Sequence, residues 1–369
     1  MSVPLPIQNG ARRHTLSSGS RTLLLVGALL LLGSGPAAPA TIGARQPSSP
    51  TVGTARDDAQ AEPIPLGEPA VAGDATLRVL EVVTGQAAND AVAAADPANG
   101  PPRDGVAYVL VRLAVENRGD RPLTLSNDDF ALTGASGLVR RFLWLTPPEP
   151  ALPTDIAPGE DAEGWVVLSA PVEETGLLLL YDNLALGGAW ADRILALEEG
   201  AAVPGQDVAV EEADATGRDP AVPAALGEPV STGQWRVELV EAVTGAAVFD
   251  LVDYRTGALQ VEDATGASDG SVWLALRFRI ANVGVDDAPA TLPANAFALA
   301  DPSGTAVLDL ATLTPPSPDA AGDFYPGAER EGWVAFDVPA DLGPVLVRFQ
   351  PYAETTVAPD PRYFTTGGS

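Results

Sequence analysis

Two stretches of the chain alternate with a period of two over most of their length. Val109, Val111, Leu113 and Val115 form one uniformly apolar row, with Tyr108, Leu110, Arg112, Ala114 and Glu116 between them. Leu274, Leu276, Phe278 and Ile280 repeat the row later, with Trp273, Arg277 and Arg279 between them. Successive side chains of a strand point to opposite faces, so each row predicts an antiparallel strand with one face on a core. Apolar runs at Leu77 to Val83 and Trp235 to Val243 predict strands before the long ones. Val166 with Leu168, Val334 with Phe336, Leu177 to Tyr181 and Val345 to Phe349 predict strands after them. Turn residues punctuate these runs, and no stretch has a convincing amphipathic helix pattern. Residues 183–199 read either way, with Trp190 to Leu197 a last strand or a short helix.

The runs come in two matching sets. Glu163-Gly164-Trp165-Val166 returns as Glu331-Gly332-Trp333-Val334. Leu145-Thr146-Pro147-Pro148 and Pro158-Gly159 precede the first copy, and Leu313-Thr314-Pro315-Pro316 and Pro326-Gly327 the second. Leu66-Gly67-Glu68-Pro69 matches Leu226-Gly227-Glu228-Pro229, and Asn117-Arg118-Gly119 matches Asn282-Val283-Gly284. One folded unit therefore recurs, with the spacing between copies growing only where loops are expected. About seven strands per unit point to an all-β chain of two tandem immunoglobulin-like antiparallel β-sandwiches after a signal peptide and a flexible tether. The expected boundaries are a signal peptide over residues 1–40, a tether over 41–63, the first sandwich over 64–199, an acidic linker over 200–223 and the second sandwich over 224–369. Trp165 should fall on Trp333, and Asn117 on Asn282. Gly164 and Gly332 share the inward strand face with Val166 and Val334, which predicts that another group fills the space above them.

The N-terminus reads as an address. Arg12, Arg13 and Arg21 flank an apolar run from Leu23 to Leu32, followed by small residues at Ala38 and Ala40. That is the layout of a secretory signal peptide cleaved before Thr41, with a run too short to span a bilayer comfortably. An uncleaved anchor is the alternative. Residues 41–63 are rich in Ala, Pro, Ser and Gly without apolar periodicity, which suits a tether, and residues 200–222 are similarly small and acidic, which suits a linker. The expected location is secreted or at the cell surface.

The motifs together resemble a family of exported bacterial immunoglobulin-like domains of unknown function, similar to mycobacterial immunoprotective secreted antigens. The resemblance rests on Leu-Gly-Glu-Pro, the long strand ending in Asn-x-Gly, Phe130-Ala131-Leu132 and Phe297-Ala298-Leu299, then Pro-Gly and Gly-Trp-Val, and it covers residues 64–199 and 224–365. It implies an exported sandwich with no established catalytic residues. Many members of that family begin with a lipid-attached cysteine, whereas this chain of 369 residues has none.

Composition narrows the chemistry further. The 21 basic residues are all Arg, the acids number 49, and the formal charge is −28 with a pI near 4.1. Such a surface repels nucleic acid and anionic lipid. Once residues 1–40 are removed, no His, Cys, Lys or Met is left. Cys–His and Ser–His nucleophiles, Schiff-base lysines and the usual zinc and copper sites are thereby excluded. Carboxylates that recur in both units, Glu81 with Glu241 and Glu163 with Glu331, are the candidates for glycoside cleavage, and a structural role in the repeated fold is the preferred reading. Asp128-Asp129, Asp286-Asp287 and Asp250 with Asp253 are the tightest acid pairs for weak divalent-cation association, without the spacing of a dedicated calcium loop. No cofactor is implied. Trp165, Trp333 and Trp273 fall on outward strand faces, which makes them candidate partner contacts, although a tryptophan lying flat over its sheet is the preferred reading. The expected function is a non-enzymatic envelope binding or scaffold protein with a protein or glycan partner and no membrane insertion after cleavage. A carboxylate-dependent hydrolase and a cation-responsive spacer are the alternatives.

Overall fold

The computed structural model describes residues 62–182, 193–205, 208–251, 270–286, 288–305, 312–313, 315–340, 345–351 and 360–366. The expected signal peptide over 1–40, nearly all of the expected tether, Trp190, Asp253 and Asp287 lie outside the described residues, and of Asp250 only the backbone is described.

The described chain is mostly antiparallel β-structure. The first sandwich contains β1 (Ala70–Ala72), β2 (Ala75–Thr84), β3 (Val106–Asn117), β4 (Leu123–Thr124), β5 (Phe130–Thr133), β6 (Leu138–Arg141), β7 (Asp155–Ile156), β8 (Asp161–Pro171), β9 (Leu178–Tyr181) and β10 (Arg193–Ala196). One sheet runs β1-β2-β3-β8, and the facing sheet begins β10-β9-β5-β6. The apolar row of β3 enters the core between them, where Val111, Leu113 and Val115 meet Phe130, Leu132, Leu179 and Tyr181. The second sandwich contains β11 (Pro229–Ser231), β12 (Trp235–Thr244), β13 (Ser271–Asn282), β14 (Ala290–Leu292), β15 (Phe297–Ala300), β16 (Thr312–Leu313), β17 (Gly322–Phe324), β18 (Glu329–Pro339), β19 (Leu346–Phe349) and β20 (Arg362–Thr365). Its sheets run β11-β12-β13-β18-β16 and β15-β19-β20, around Leu276, Phe278, Ile280, Phe297, Phe349 and Phe364.

The recurring motifs have physical causes. Asn117 and Asn282 are buried. Asn117 donates to the carbonyls of Arg121 and Ile156 at 2.7 and 2.9 Å, while its Oδ1 accepts from the Gly119 amide at 2.9 Å. Asn282 donates to the Phe324 carbonyl at 2.7 Å and accepts from the Gly284 amide at 2.9 Å. The Pro-Gly turn closes on the same residue, since the amides of Gly159 and Gly327 donate to the backbone carbonyls of Asn117 and Asn282. One asparagine thus satisfies several buried backbone groups of two turns.

The Gly-Trp pair is explained by a crossing chain. Gly164 lies opposite Leu113 and Gly332 opposite Phe278 in the same register of their sheets. A Cβ on Gly164 would stand 2.2 Å from the Leu152 backbone nitrogen, and one on Gly332 2.4 Å from the Asp319 carbonyl oxygen. The crossing backbone is fixed by the Trp165 and Trp333 amides, which donate to the Pro150 and Pro318 carbonyls at 2.9 Å. The group above each glycine is therefore main chain, and only glycine admits it.

Three features depart from the pattern reading or go beyond it. Gly85–Ala95 is an α-helix, α1, where no helix was expected. It presents Ala88 and Val92 to the outer face of β3, so Tyr108 and Leu110 are buried as well as the inward row. Of the ambiguous stretch, Arg193–Ala196 is strand, paired with β9. The acidic linker region lies against the sandwiches: Val203 is buried, and Asp214 exchanges backbone and side-chain hydrogen bonds with Ser231.

The two sandwiches share a sheet. β6 pairs with β5 on one side and with β17 of the second sandwich on the other, giving the order β10-β9-β5-β6-β17-β14. Val139, Leu178, Leu180, Ile194, Val203 and Tyr325 form a buried cluster beneath this seam. Burial pushes the Tyr325 hydroxyl up to about 12. Arg141 donates to Asp323 at 3.0 Å, and Asp323 also accepts from Thr291 Oγ1 at 2.6 Å.

Candidate functional site

The outer faces of the long-strand sheets hold the charged and aromatic residues singled out above. In the second sandwich they form a closed ladder. Arg277 pairs with Glu241 at 2.7 Å and Glu331 at 3.2 Å; Arg279 pairs with Glu238 at 2.7 Å and Glu331 at 2.8 Å; Arg236 reaches Glu329 at 3.3 Å. Hydrogen bonding to Glu331 and the charge of Glu238 push the Arg279 guanidinium further up. In the first sandwich Arg112 pairs with Glu163 at 2.8 Å and stands opposite Glu81 in register. Glu163, Glu241 and Glu331 are thus engaged by arginines on open sheet faces.

Trp273 and Trp333 are 6% and 7% exposed, packed with Val248 and Ala275 under the turn Gly245–Leu251. The Arg277 guanidinium lies 5.6 Å from the centre of the Trp333 ring. Trp165 is half-buried against Tyr108, Leu110 and Val167 beside α1. All three lie on the outward strand face, but short elements cover them there, and Trp273 and Trp333 offer no free surface to a partner. Among the described acids, Asp129 is a cap: its Oδ2 accepts from the Ser126 amide at 2.7 Å. No group of three or more His, Cys, Asp or Glu among the described residues is placed to hold a metal ion.

Among the described residues, the exposed aromatic is one the pattern reading passed over. Trp144 is 83% exposed, and its ring stacks edge-on against Phe142 at 4.8 Å. It follows β6, three residues beyond Arg141 of the seam. Leu143 and Leu145, its neighbours in sequence, pack partly under the cover of Trp165 and α1, which turns Trp144 outward. The signal was the alternation of Leu143 and Leu145 about Trp144, just before the repeated Leu-Thr-Pro-Pro motif, where the second copy has Thr312 in place of the tryptophan.

Fold and faces define a two-sandwich protein whose exposed chemistry lies on sheet faces and one aromatic loop. The family model described as a domain of unknown function, DUF4352, matches residues 64–191. No curated protein matches the chain in sequence. Among solved structures, a secreted protein from Mycobacterium tuberculosis, MPT63, is 17% identical, covers 36% of this chain and 97% of its own, with a TM-score of 0.27. The yjhA protein from Bacillus subtilis is 18% identical over 32% of this chain and 79% of its own, with a TM-score of 0.24. An uncharacterized β-sandwich protein from Clostridium difficile 630 is 8% identical over 37% of this chain and 96% of its own, with a TM-score of 0.24. No helix among the described residues is long and apolar enough to cross a membrane.

Proposed function

We propose that this chain is an exported, non-enzymatic scaffold and binding protein of the cell envelope, built from a duplicated immunoglobulin-like module. The arginine-flanked apolar run and Ala38-Pro39-Ala40 support export. The matching glycine, asparagine and tryptophan positions in β3, β8, β13 and β18 support duplication. The single observation that carries the binding role is Trp144, a large aromatic left 83% exposed three residues beyond the end of β6. An indole costs free energy in water and loses little entropy when a partner covers it, so exposed tryptophans concentrate binding energy. The partner is an envelope protein or glycan.

The test compares wild type with Trp144→Ala on immobilised, purified envelope glycan and on separated envelope proteins. Trp144→Ala should keep the wild-type melting temperature and lose most of the captured material. Equal capture by both proteins would end this reading, as would a melting temperature that falls with the substitution.

A further inference from the structure

The edge of β17 that receives β6 has a counterpart in the first sandwich, the edge of β7. Residues 151–165 and 319–333 run in step without insertion, so Asp155 stands for Asp323, Ile156 for Phe324 and Ala157 for Tyr325. Hydrogen bonds bear the match out. Asn117 donates to the Ile156 carbonyl as Asn282 does to that of Phe324. Thr124 Oγ1 donates to Asp155 Oδ1 at 2.9 Å, as Thr291 Oγ1 does to Asp323 Oδ1 at 2.6 Å.

One of these edges is filled and the other is open. Leu138 and Val139 of β6 lie opposite Phe324 and Asp323. The Tyr325 amide donates to the Gly137 carbonyl at 2.9 Å, and Arg141 donates to Asp323 Oδ2 at 3.0 Å. By contrast β7 has β4 on one side and, among the described residues, no strand on the other. Asp155, Ala157 and Pro158 are exposed where Asp323, Tyr325 and Pro326 are buried. Among the described residues no arginine pairs with Asp155; Arg118 and Arg121, in the turn before β4, pair with Glu116 and Asp120. An edge with unpaired backbone groups is a template for another strand. Two replacements favour a single strand there over a second docked sandwich. Exposed Glu160 stands for Ala328, which lies against Gly137 at the seam, and Ala157 stands for the seam aromatic Tyr325. A docked sandwich would have to strip Glu160 of water, whereas an extended segment leaves it solvated.

We propose that the free edge of β7 binds an extended, arginine-bearing segment of a partner polypeptide, added as an antiparallel strand. Backbone groups of Asp155 and Ala157 pair with the segment as those of Asp323 and Tyr325 pair with β6. An arginine in the place of Arg141 donates to the Asp155 oxygen that Thr124 leaves open. Main-chain bonds supply the attachment and the arginine fixes the register. The formal charge of −28 steers a basic segment toward the chain. None of these residues belongs to the Trp144 loop, so either site can fail its test without the other.

The probe is the sequence of β6 and its flanks as a free peptide, acetyl-Ser-Gly-Leu-Val-Arg-Arg-Phe-amide, titrated into the isotope-labelled full chain and followed by NMR of backbone amides. Saturable shifts are expected at Asp155 and Ala157, with Asp323 and Tyr325 unmoved. A peptide N-methylated at its valine, the residue set opposite Asp155, should not bind, because the methyl group blocks strand pairing. Citrulline in place of the second arginine should weaken binding about tenfold, and so should Asp155→Asn, which keeps an acceptor for Thr124. Unmoved Asp155 and Ala157 amides would overturn the assignment, as would shifts confined to Asp323 and Tyr325. Equal binding of the N-methylated peptide, or wild-type binding by a folded Asp155→Asn chain, would overturn it too.

Discussion

Glycine 164 shows how a single missing carbon decides local structure. Its backbone is extended and the whole demand comes from Leu152, whose main chain passes where a Cβ would stand. Overpacking in a fitted interior costs about 1–3 kcal/mol, and more where the obstructing atoms are backbone held by hydrogen bonds. Gly164→Ala should therefore cost about 3 kcal/mol or more, read as a lower denaturation midpoint in urea. Wild-type stability for that variant would show that the crossing segment is loose. This position was legible from sequence, because Gly-Trp-Val recurs and glycine is a poor strand residue without such a reason. Trp144 was not, because exposure depends on which neighbours an adjacent helix covers, and one sequence does not carry that information.

At the scale of elements, the long strands were legible and the covering elements were not. β3 and β13 announce themselves by alternation, whereas α1 buries only Ala88 and Val92 and leaves almost no periodic trace. Its signal was alanine content, a propensity rather than a pattern. The seam is equally silent: β6 and β17 are four and three residues long, and pairing between them is a tertiary event.

The last strand gives a pH-dependent prediction. Arg362 is fully buried and donates to the carbonyls of Asp214 and Ser231, tying β20 to β11 and to the segment before it. Its hydrogen bond to Asp360, with further help from Arg218, holds the Asp360 carboxyl below its ordinary value of 3.8. A depressed folded-state value means the stabilisation is present above that ordinary value. It is lost as pH falls through the lower, folded one. Asp360→Asn should accordingly lower the melting temperature at pH 6, and the difference from wild type should shrink as pH falls below about 3.8. A difference that persists unchanged in strong acid would remove Asp360 from this role.

For the whole molecule, fusion of two sandwiches through one sheet is what turns two small modules into a platform. The ion pair of Arg141 with Asp323 is half-exposed on one side and counts for little alone. The pairing of β6 with β17 and the buried Val139, Val203 and Tyr325 hold the junction. The chain contains no cysteine, so a pair introduced for spin labels has no competitor. Fusion is tested most directly by labelling Val71→Cys in the first sandwich and Val285→Cys in the second, both on exposed side chains, and measuring their separation by double electron–electron resonance. A single narrow distance distribution is the predicted result. A broad one, as for two modules on a free linker, would contradict it.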